Sequence, residues 1–175
     1  MKLHTAKDFG NITCLDYSYF DVGLIAVGEK NGFVRLFNII ANDDPELQTI
    51  DMKARAKQQR CINTLGINSN GLVAMGLDRN KNDASLQIWD INYQSTDTAI
   101  VTPTFSYCVN ENIVSSKFFN DTGLIVASTK FLKEIDLRSP QPAYQHPTRL
   151  SYDVKVNPFN DCQFSSYGDD GTLAI

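Results

Sequence analysis

Three times along the chain a Gly-Leu step opens an apolar run: Gly23-Leu-Ile-Ala-Val-Gly28, Gly71-Leu-Val-Ala-Met-Gly76 and Gly123-Leu-Ile-Val-Ala-Ser128. The opening glycines stand 48 and 52 residues apart. A repeat of about 40–50 residues with strand-type content is the signature of propeller blades, each a small four-stranded sheet. The surroundings repeat too. Upstream lie Ile12-Thr-Cys-Leu-Asp-Tyr17, Ile62-Asn-Thr-Leu-Gly-Ile67 and Ile113-Val-Ser-Ser-Lys-Phe118, each followed by a polar turn rich in Asn, Asp and Gly, the residues that tolerate positive φ. Downstream come Phe33-Val-Arg-Leu-Phe-Asn38, Leu86-Gln-Ile-Trp-Asp90 and Leu132-Lys-Glu-Ile-Asp-Leu137. Alternation predicts that these third strands bury one face and leave the other polar.

A fourth copy starts at Tyr152-Asp-Val-Lys-Val156, continues through Cys162-Gln-Phe-Ser-Ser-Tyr167, and turns at Gly168-Asp-Asp-Gly171 into Thr172-Leu-Ala-Ile175. The chain stops there inside a strand, so the expectation is a piece of a longer protein, with a severed last blade and open blade faces. The expected fold is all-β, a partial propeller of about four blades over 11–60, 61–105, 106–147 and 148–175. Two longer connections interrupt the repeat. Residues 40–60 contain the helix-forming run Met52-Lys-Ala-Arg-Ala-Lys-Gln-Gln-Arg60, and residues 92–104 are rich in Ser, Thr, Gln and Asn. Both read as insertions on the blade surface, where added length costs little.

Composition narrows the function. Sixteen Lys and Arg against 20 Asp and Glu give a net charge of −4, the wrong balance for a nucleic-acid binder. No apolar run reaches the roughly 18–20 residues of a membrane span, and the first residues lack the apolar stretch of a signal peptide. Cysteines at 14, 61, 108 and 162 are too far apart for a zinc knuckle, so four inert, small hydrophobic thiols are expected and no cofactor.

Motif-like spacings dissolve on inspection. Gly23-x₄-Gly28-Glu-Lys30 imitates a phosphate loop, but Lys and Ser/Thr are out of place and the intervening residues form strands. Gly71-x₄-Gly76 has the same spacing, so the repeat explains it. The carboxylates, Asp43-Asp44, Asp161 and Asp169-Asp170, sit in turns, and nothing holds a pair across a cleft as glycosidase chemistry requires. No nucleophile–base pair or metal set emerges, so an enzyme is not expected. The cluster Lys53, Arg55, Lys57 and Arg60 is the candidate contact for an anion or acidic partner. Its alternatives are a solvated face or a phosphoinositide-binding surface on a peripheral membrane propeller.

Leu86-Gln-Ile-Trp89-Asp90 and Gly168-Asp-Asp-Gly-Thr-Leu-Ala-Ile175 resemble WD-repeat blades. Trp89 offers a wide ring to pack between neighbouring sheets, and Asp90 can bond its own backbone to end the strand. The other copies depart, with Phe37-Asn38 and Ile135-Asp136 at that place. WD-repeat blades often carry a histidine linked through Ser or Thr to the turn aspartate. The resemblance implies that role for His146, with Ser165 or Ser166 and Asp170, and makes Asp83 the corresponding residue of the second copy. All five, Trp89, Asp90, Asp83, His146 and Asp170, are expected to be structural.

Val27-Gly-Glu-Lys-Asn-Gly-Phe33, Arg60-Cys-Ile-Asn-Thr-Leu-Gly-Ile67, Ala74-Met-Gly-Leu-Asp-Arg-Asn-Lys-Asn-Asp83 and Tyr144-Gln-His-Pro-Thr-Arg149 resemble the N-terminal propeller of the Mio (missing oocyte) family, nearest to its yeast member in the SEA complex. The resemblance covers the chain except the 40–52 insertion. It implies a non-catalytic scaffold in the activating half of a SEA (GATOR-type) complex, partnered by other subunits, including other propeller proteins. That half supports amino-acid-dependent target-of-rapamycin signalling by opposing the GTPase-activating half. Membrane association would then be indirect, at the vacuolar or lysosomal surface.

Overall fold

The computed structural model describes residues 10–18, 23–38, 50–53, 60–92, 103–160 and 162–175. It is built of antiparallel strands in four sheets, each a meander in sequence order. The first holds β1 (Ile12–Tyr17), β2 (Leu24–Glu29), β3 (Phe33–Asn38) and β4 (Ile50–Lys53). The second holds β5 (Ile62–Ile67), β6 (Leu72–Leu77), β7 (Ala84–Asp90) and β8 (Phe105–Val109). The third holds β9 (Ile113–Phe118), β10 (Gly123–Ser128), β11 (Phe131–Asp136) and β12 (Tyr144–Pro147). The fourth holds β13 (Ser151–Val156), β14 (Phe164–Gly168) and β15 (Leu173–Ala174). The first strands β1, β5, β9 and β13 lie side by side. The sheets are therefore blades of a partial β-propeller, with these four as inner strands.

The core lies between blades rather than within them. Leu24, Val34 and Leu36 of the first blade pack on Ile62, Leu65, Val73, Met75 and Trp89 of the second. The other face of the second blade, with Ala74, Leu86 and Ile88, packs on Ile113, Leu124, Val126 and Ile135 of the third. Ile125, Ala127 and Leu132 then meet Val154 of the fourth. Middle strands are covered on both faces, so they read as unbroken apolar runs. Burial extends to the third strand of the second blade, where Ser85 and Gln87 are covered along with Leu86, Ile88 and Trp89. The one-sided pattern expected for that strand fails because a neighbouring blade lies on each side of it.

The Gly-Leu alignment is out by one in the third copy. Leu24 pairs with Asn38 and Leu72 with Asp90, but it is Gly123 that pairs with Asp136. The three glycines accordingly do different jobs. Gly23 and Gly71 adopt φ of 109° and 77° in their turns, conformations a side chain strains. Gly123 is needed for space, since a Cβ there would lie 2.2 Å from the Phe119 ring.

The outer strands were not foreseen. β4 lies inside the region read as an insertion and helix-forming run, and it pairs with β3 from Leu36↔Ile50 to Phe33↔Lys53. β8 belongs to the second blade, pairing Leu86 with Tyr107, so the expected boundary at 105/106 moves past Val109. Most of both long connections, and the turn at Phe20, fall outside the described residues.

A recurring contact seats each blade on the one before. A Cβ on Gly28 would lie 2.9 Å from Cγ2 of Ile62, and one on Gly76 would lie 2.6 Å from Cγ2 of Ile113 and 2.4 Å from Cγ2 of Thr64. Gly76→Ala is expected to destabilise the intact protein by about 1–3 kcal/mol through overpacking. The cost should shrink in a Thr64→Ser background, which removes the clashing methyl and keeps the hydroxyl that accepts from Ser116 N at 3.1 Å. Urea unfolding of the four proteins measures both; equal costs in the two backgrounds would rule out the Thr64 clash, and a Gly76→Ala cost below about 0.5 kcal/mol would refute the seat.

Candidate functional site

Strand order places the B–C hairpins (second to third strand) and D–A connections (fourth strand to next first strand) at one end of the blades, and the A–B and C–D turns at the other. At the B–C end, the second and third blades close their hairpins with a charged side chain two residues ahead of the inner strand. In the second blade that residue is Arg60, 5% exposed. It donates to the Ala84 carbonyl at 2.6 Å, to Ser85 Oγ at 2.8 Å and to the Asp78 carbonyl, and it pairs with Asp83 at 3.3 Å. In the third blade Glu111 occupies the position and pairs with the buried Lys133. In the first, Gly10 leaves room for the carboxylate of Glu29, which accepts from Asn31 at 2.8 Å and pairs with Arg35 at 2.9 Å. In the fourth the position holds Arg149. Asp170 there has a lowered pKa, chiefly because Thr172 donates to it and to a smaller degree because of Arg149.

These geometries revise the site residues expected from sequence. Arg60 is an internal clamp and not a surface contact, because its guanidinium is spent on the B–C hairpin. Lys53 ends β4 at the same end of the first blade, while Arg55 and Lys57 lie outside the described residues. The expected link from His146 through Ser165 or Ser166 to Asp170 is not made. His146 lies exposed on β12, and Asp170 accepts instead from the Thr172 amide at 3.0 Å and its hydroxyl at 2.5 Å. His146, Ser166 and Asp170 share only the lining of a cavity of about 360 Å³. Asp83 does bind its hairpin, accepting from Ala84 N at 2.9 Å and from Arg60. Trp89 is 2% exposed within the core between the first two blades, and Asp90 accepts from Asn92 N at 2.9 Å, capping the strand. The signal that could have found the clamp was the offset from the inner strand, which aligns Gly10, Arg60, Glu111 and Arg149 and leaves His146 out.

Polar groups also tie inner strand to inner strand. Thr13 Oγ1 donates to the Ile62 carbonyl, and Asn63 Nδ2 donates to the Ile113 carbonyl at 3.0 Å. Each stands at a register shift just after the strand's first residue, so a bulge aims it at the next blade. Ser115 donates to Asp153 at 2.7 Å. Toward the A–B end, Lys117 reaches Asp16 at 2.5 Å across the second blade, and Asp16 accepts from Ile67 N at 3.1 Å. A cavity of about 600 Å³ opens beside this pair, walled by Phe118, Phe119, Leu15 and Pro158.

No group of three or more His, Cys, Asp or Glu among the described residues is placed to hold a metal. Burial pushes the thiol pKa of Cys14 up to about 11 and of Cys108 up to about 12, which suppresses thiolate reactivity. No helix of the described residues is long and apolar enough to cross a membrane.

Known proteins place these observations. The chain is 53% identical to SEH-associated protein 4 of Saccharomyces cerevisiae over 222 aligned positions, which cover all of this chain and 21% of that protein. It is 23% identical over 172 positions to an uncharacterized WD repeat-containing protein of Schizosaccharomyces pombe, covering 97% of this chain and 18% of the other. The chain thus spans about a fifth of the length of these relatives. No protein-family model matches it. Among solved structures, a chain of the crystal structure of the mitotic checkpoint complex superposes with a TM-score of 0.66 at 15% identity, over 90% of this chain and 45% of that one. The fold is a partial WD-repeat β-propeller.

Two outcomes check the site. Arg60→Ala is expected to cost about 1–3 kcal/mol, because the buried Ala84 and Asp78 carbonyls and Ser85 hydroxyl lose their donor, whereas exposed Lys30→Ala should stay within about 0.5 kcal/mol. Chemical unfolding of the intact protein reads both, and an Arg60→Ala cost as small as that of Lys30→Ala would refute the clamp. At pH 8, a thiol reagent should label the exposed Cys162 promptly and Cys14 and Cys108 only after unfolding. Mass spectrometry of the labelled peptides tests that order, and early labelling of Cys108 would contradict it.

Proposed function

We propose that this propeller is the N-terminal platform of a Mio-family subunit in a SEA (GATOR-type) complex. The observation that carries the reading is the 53% identity to SEH-associated protein 4 along the whole chain. By its name that relative associates with SEH, and an SEH protein is accordingly the first partner proposed here. The blades supply what such a role needs. Their inter-blade cores and inner-strand ties make a rigid body, and their hairpins and turns present varied surfaces to other subunits.

In this reading the subunit belongs to the activating half of the complex and supports amino-acid-dependent target-of-rapamycin complex 1 signalling by opposing the GTPase-activating half. It acts by binding, without a reaction of its own. Its residence on the vacuolar or lysosomal membrane would be peripheral and held through the other subunits.

The test is purification of the tagged, full-length protein from its own cells, followed by mass spectrometry. Stoichiometric recovery of an SEH protein and of further SEA subunits is expected. Recovery of the full-length protein alone, under conditions that keep other multisubunit complexes intact, would overturn the reading.

A further inference from the structure

The B–C hairpins of three successive blades each carry a cation at the tip. Lys30 stands on the first, Arg79 and Lys81 on the second, and Lys130 on the third, all four exposed. None is in an ion pair with a carboxylate among the described residues. Arg35, Arg60, Lys117, Lys133, Arg138 and Lys155 each meet a carboxylate, whereas exposed Arg149, ahead of the fourth inner strand, joins the four tip cations in having no ion pair among the described residues. In a chain of net charge −4, this end of blades one to three is an arc of uncompensated positive charge. Exposed Asp78 lies within it, its carboxylate taken by Asn63 Nδ2 at 3.0 Å. Asp169 and Asp170 on the fourth hairpin bound it on one side.

The tips are held in place before anything binds. Lys30 N donates to the Asn11 carbonyl at 2.8 Å, and Gly32 N to the Glu29 carbonyl at 3.1 Å. Arg79 Nε donates to Asn110 Oδ1 at 2.8 Å, Asn110 N to the Asn80 carbonyl at 3.0 Å, and Asn82 N to Asn80 Oδ1 at 2.9 Å. The Lys130 amide donates to Ser128 Oγ at 3.3 Å, and its carbonyl accepts from Thr148 N at 2.8 Å. Cations on ordered backbone spare the backbone part of the ordering entropy when a partner arrives. Asn31, Asn80 and Asn82 stand between them as further hydrogen-bonding groups. No hairpin in the arc presents an exposed apolar side chain, whereas membrane-inserting surfaces combine cations with Trp, Phe or Leu.

We propose that this arc docks an acidic polypeptide segment, an Asp/Glu-rich stretch of a partner protein laid across the B–C tips of the first three blades. The proposal deepens the scaffold reading and rests on it for the supply of a partner, but its chemistry stands on the four hairpin cations alone. Affinity of this kind falls as salt rises, because the charges are exposed.

The experiment uses the full-length protein and a fluorescent Glu-rich peptide of ~20 residues, followed by anisotropy at ionic strengths from about 0.05 to 0.2 M. The expected result is saturable, salt-sensitive binding that weakens by at least about tenfold when Lys30, Arg79, Lys81 and Lys130 are all changed to Glu. The same four changed to Gln should weaken it less. Arg138→Glu with Lys155→Glu, at the opposite end of the blades, should leave it unchanged. Melting temperature and recovery in the SEA complex report that the variants are folded and assembled. No peptide binding by the native protein, or equal loss in the Arg138/Lys155 control, would overturn the proposal. So would flotation of the native protein with phosphatidylserine vesicles, lost in the four-Glu variant, in place of peptide binding. If assembly fails while the arc still binds the peptide, the SEA reading falls and this one stands; if assembly holds and the arc does not bind, the reverse is true.

Discussion

Ile62 and Ile113 each begin an inner strand, and each presses Cγ2 against a glycine of the preceding blade, Gly28 or Gly76. The rest of the architecture depends on that contact. It sets how near one sheet comes to the next, and hence whether Leu24, Val34 and Leu36 can share a core with Met75 and Trp89. It also brings the Ile62 and Ile113 carbonyls within reach of Thr13 and Asn63. The third blade meets the same requirement with different residues. Register puts Ala127 where Gly28 and Gly76 stand, opposite Ser115 in place of Cys14 and Thr64. The residue that opens the next inner strand is then Ser151, in the place of Ile62 and Ile113. A methyl gained on one side accompanies a smaller side chain on the other, as packing at constant volume demands.

That exchange shows why the repeat was legible and why it misled in one place. A middle strand covered on both faces must be apolar throughout, so its Leu-Ile-Ala-Val or Leu-Val-Ala-Met run stands out wherever it recurs. Glycine is a poorer marker. Gly71 answers to a backbone angle and Gly123 to the Phe119 ring, and aligning one with the other shifts the third copy by a residue. The outer strands were illegible for the opposite reason. Tyr144–Pro147 is exposed at every position, so no burial constrains its pattern, and the two before it lie beside long connections unlike anything in the third copy. An edge strand recruited by backbone hydrogen bonds leaves little trace in side-chain order.

The same limit governed the site. Sequence grouped Arg60 with Lys53, Arg55 and Lys57 because they are near in the chain and alike in charge. Structure separates Arg60 from any surface role, since a guanidinium taken from water needs partners, and both of its terminal nitrogens find them in Asp83, Ala84, Ser85 and Asp78. The clamp is conserved in position and not in chemistry: Arg60 to Asp83 in one blade, Glu111 to Lys133 with the signs reversed in the next. A family pattern built on histidine pointed to His146, three residues away from the equivalent place. What identifies such a residue is its offset from the inner strand, a quantity visible only once that strand's first residue is known.

Burial therefore divides the charges of this chain into two kinds with separate constraints. Charges inside the hairpins must be paired within the blade, because an unmatched one would cost several kcal/mol in desolvation, roughly the whole margin by which a domain is stable. Charges on the hairpin tips carry no such obligation: an exposed, unpaired lysine adds little to stability and removes little when lost. The blade can thus change Lys30, Arg79, Lys81 and Lys130 without disturbing the seat or the clamp. A surface that folding leaves so free is the part of a propeller on which the choice of partner can act alone, which is how one rigid scaffold comes to serve unrelated assemblies.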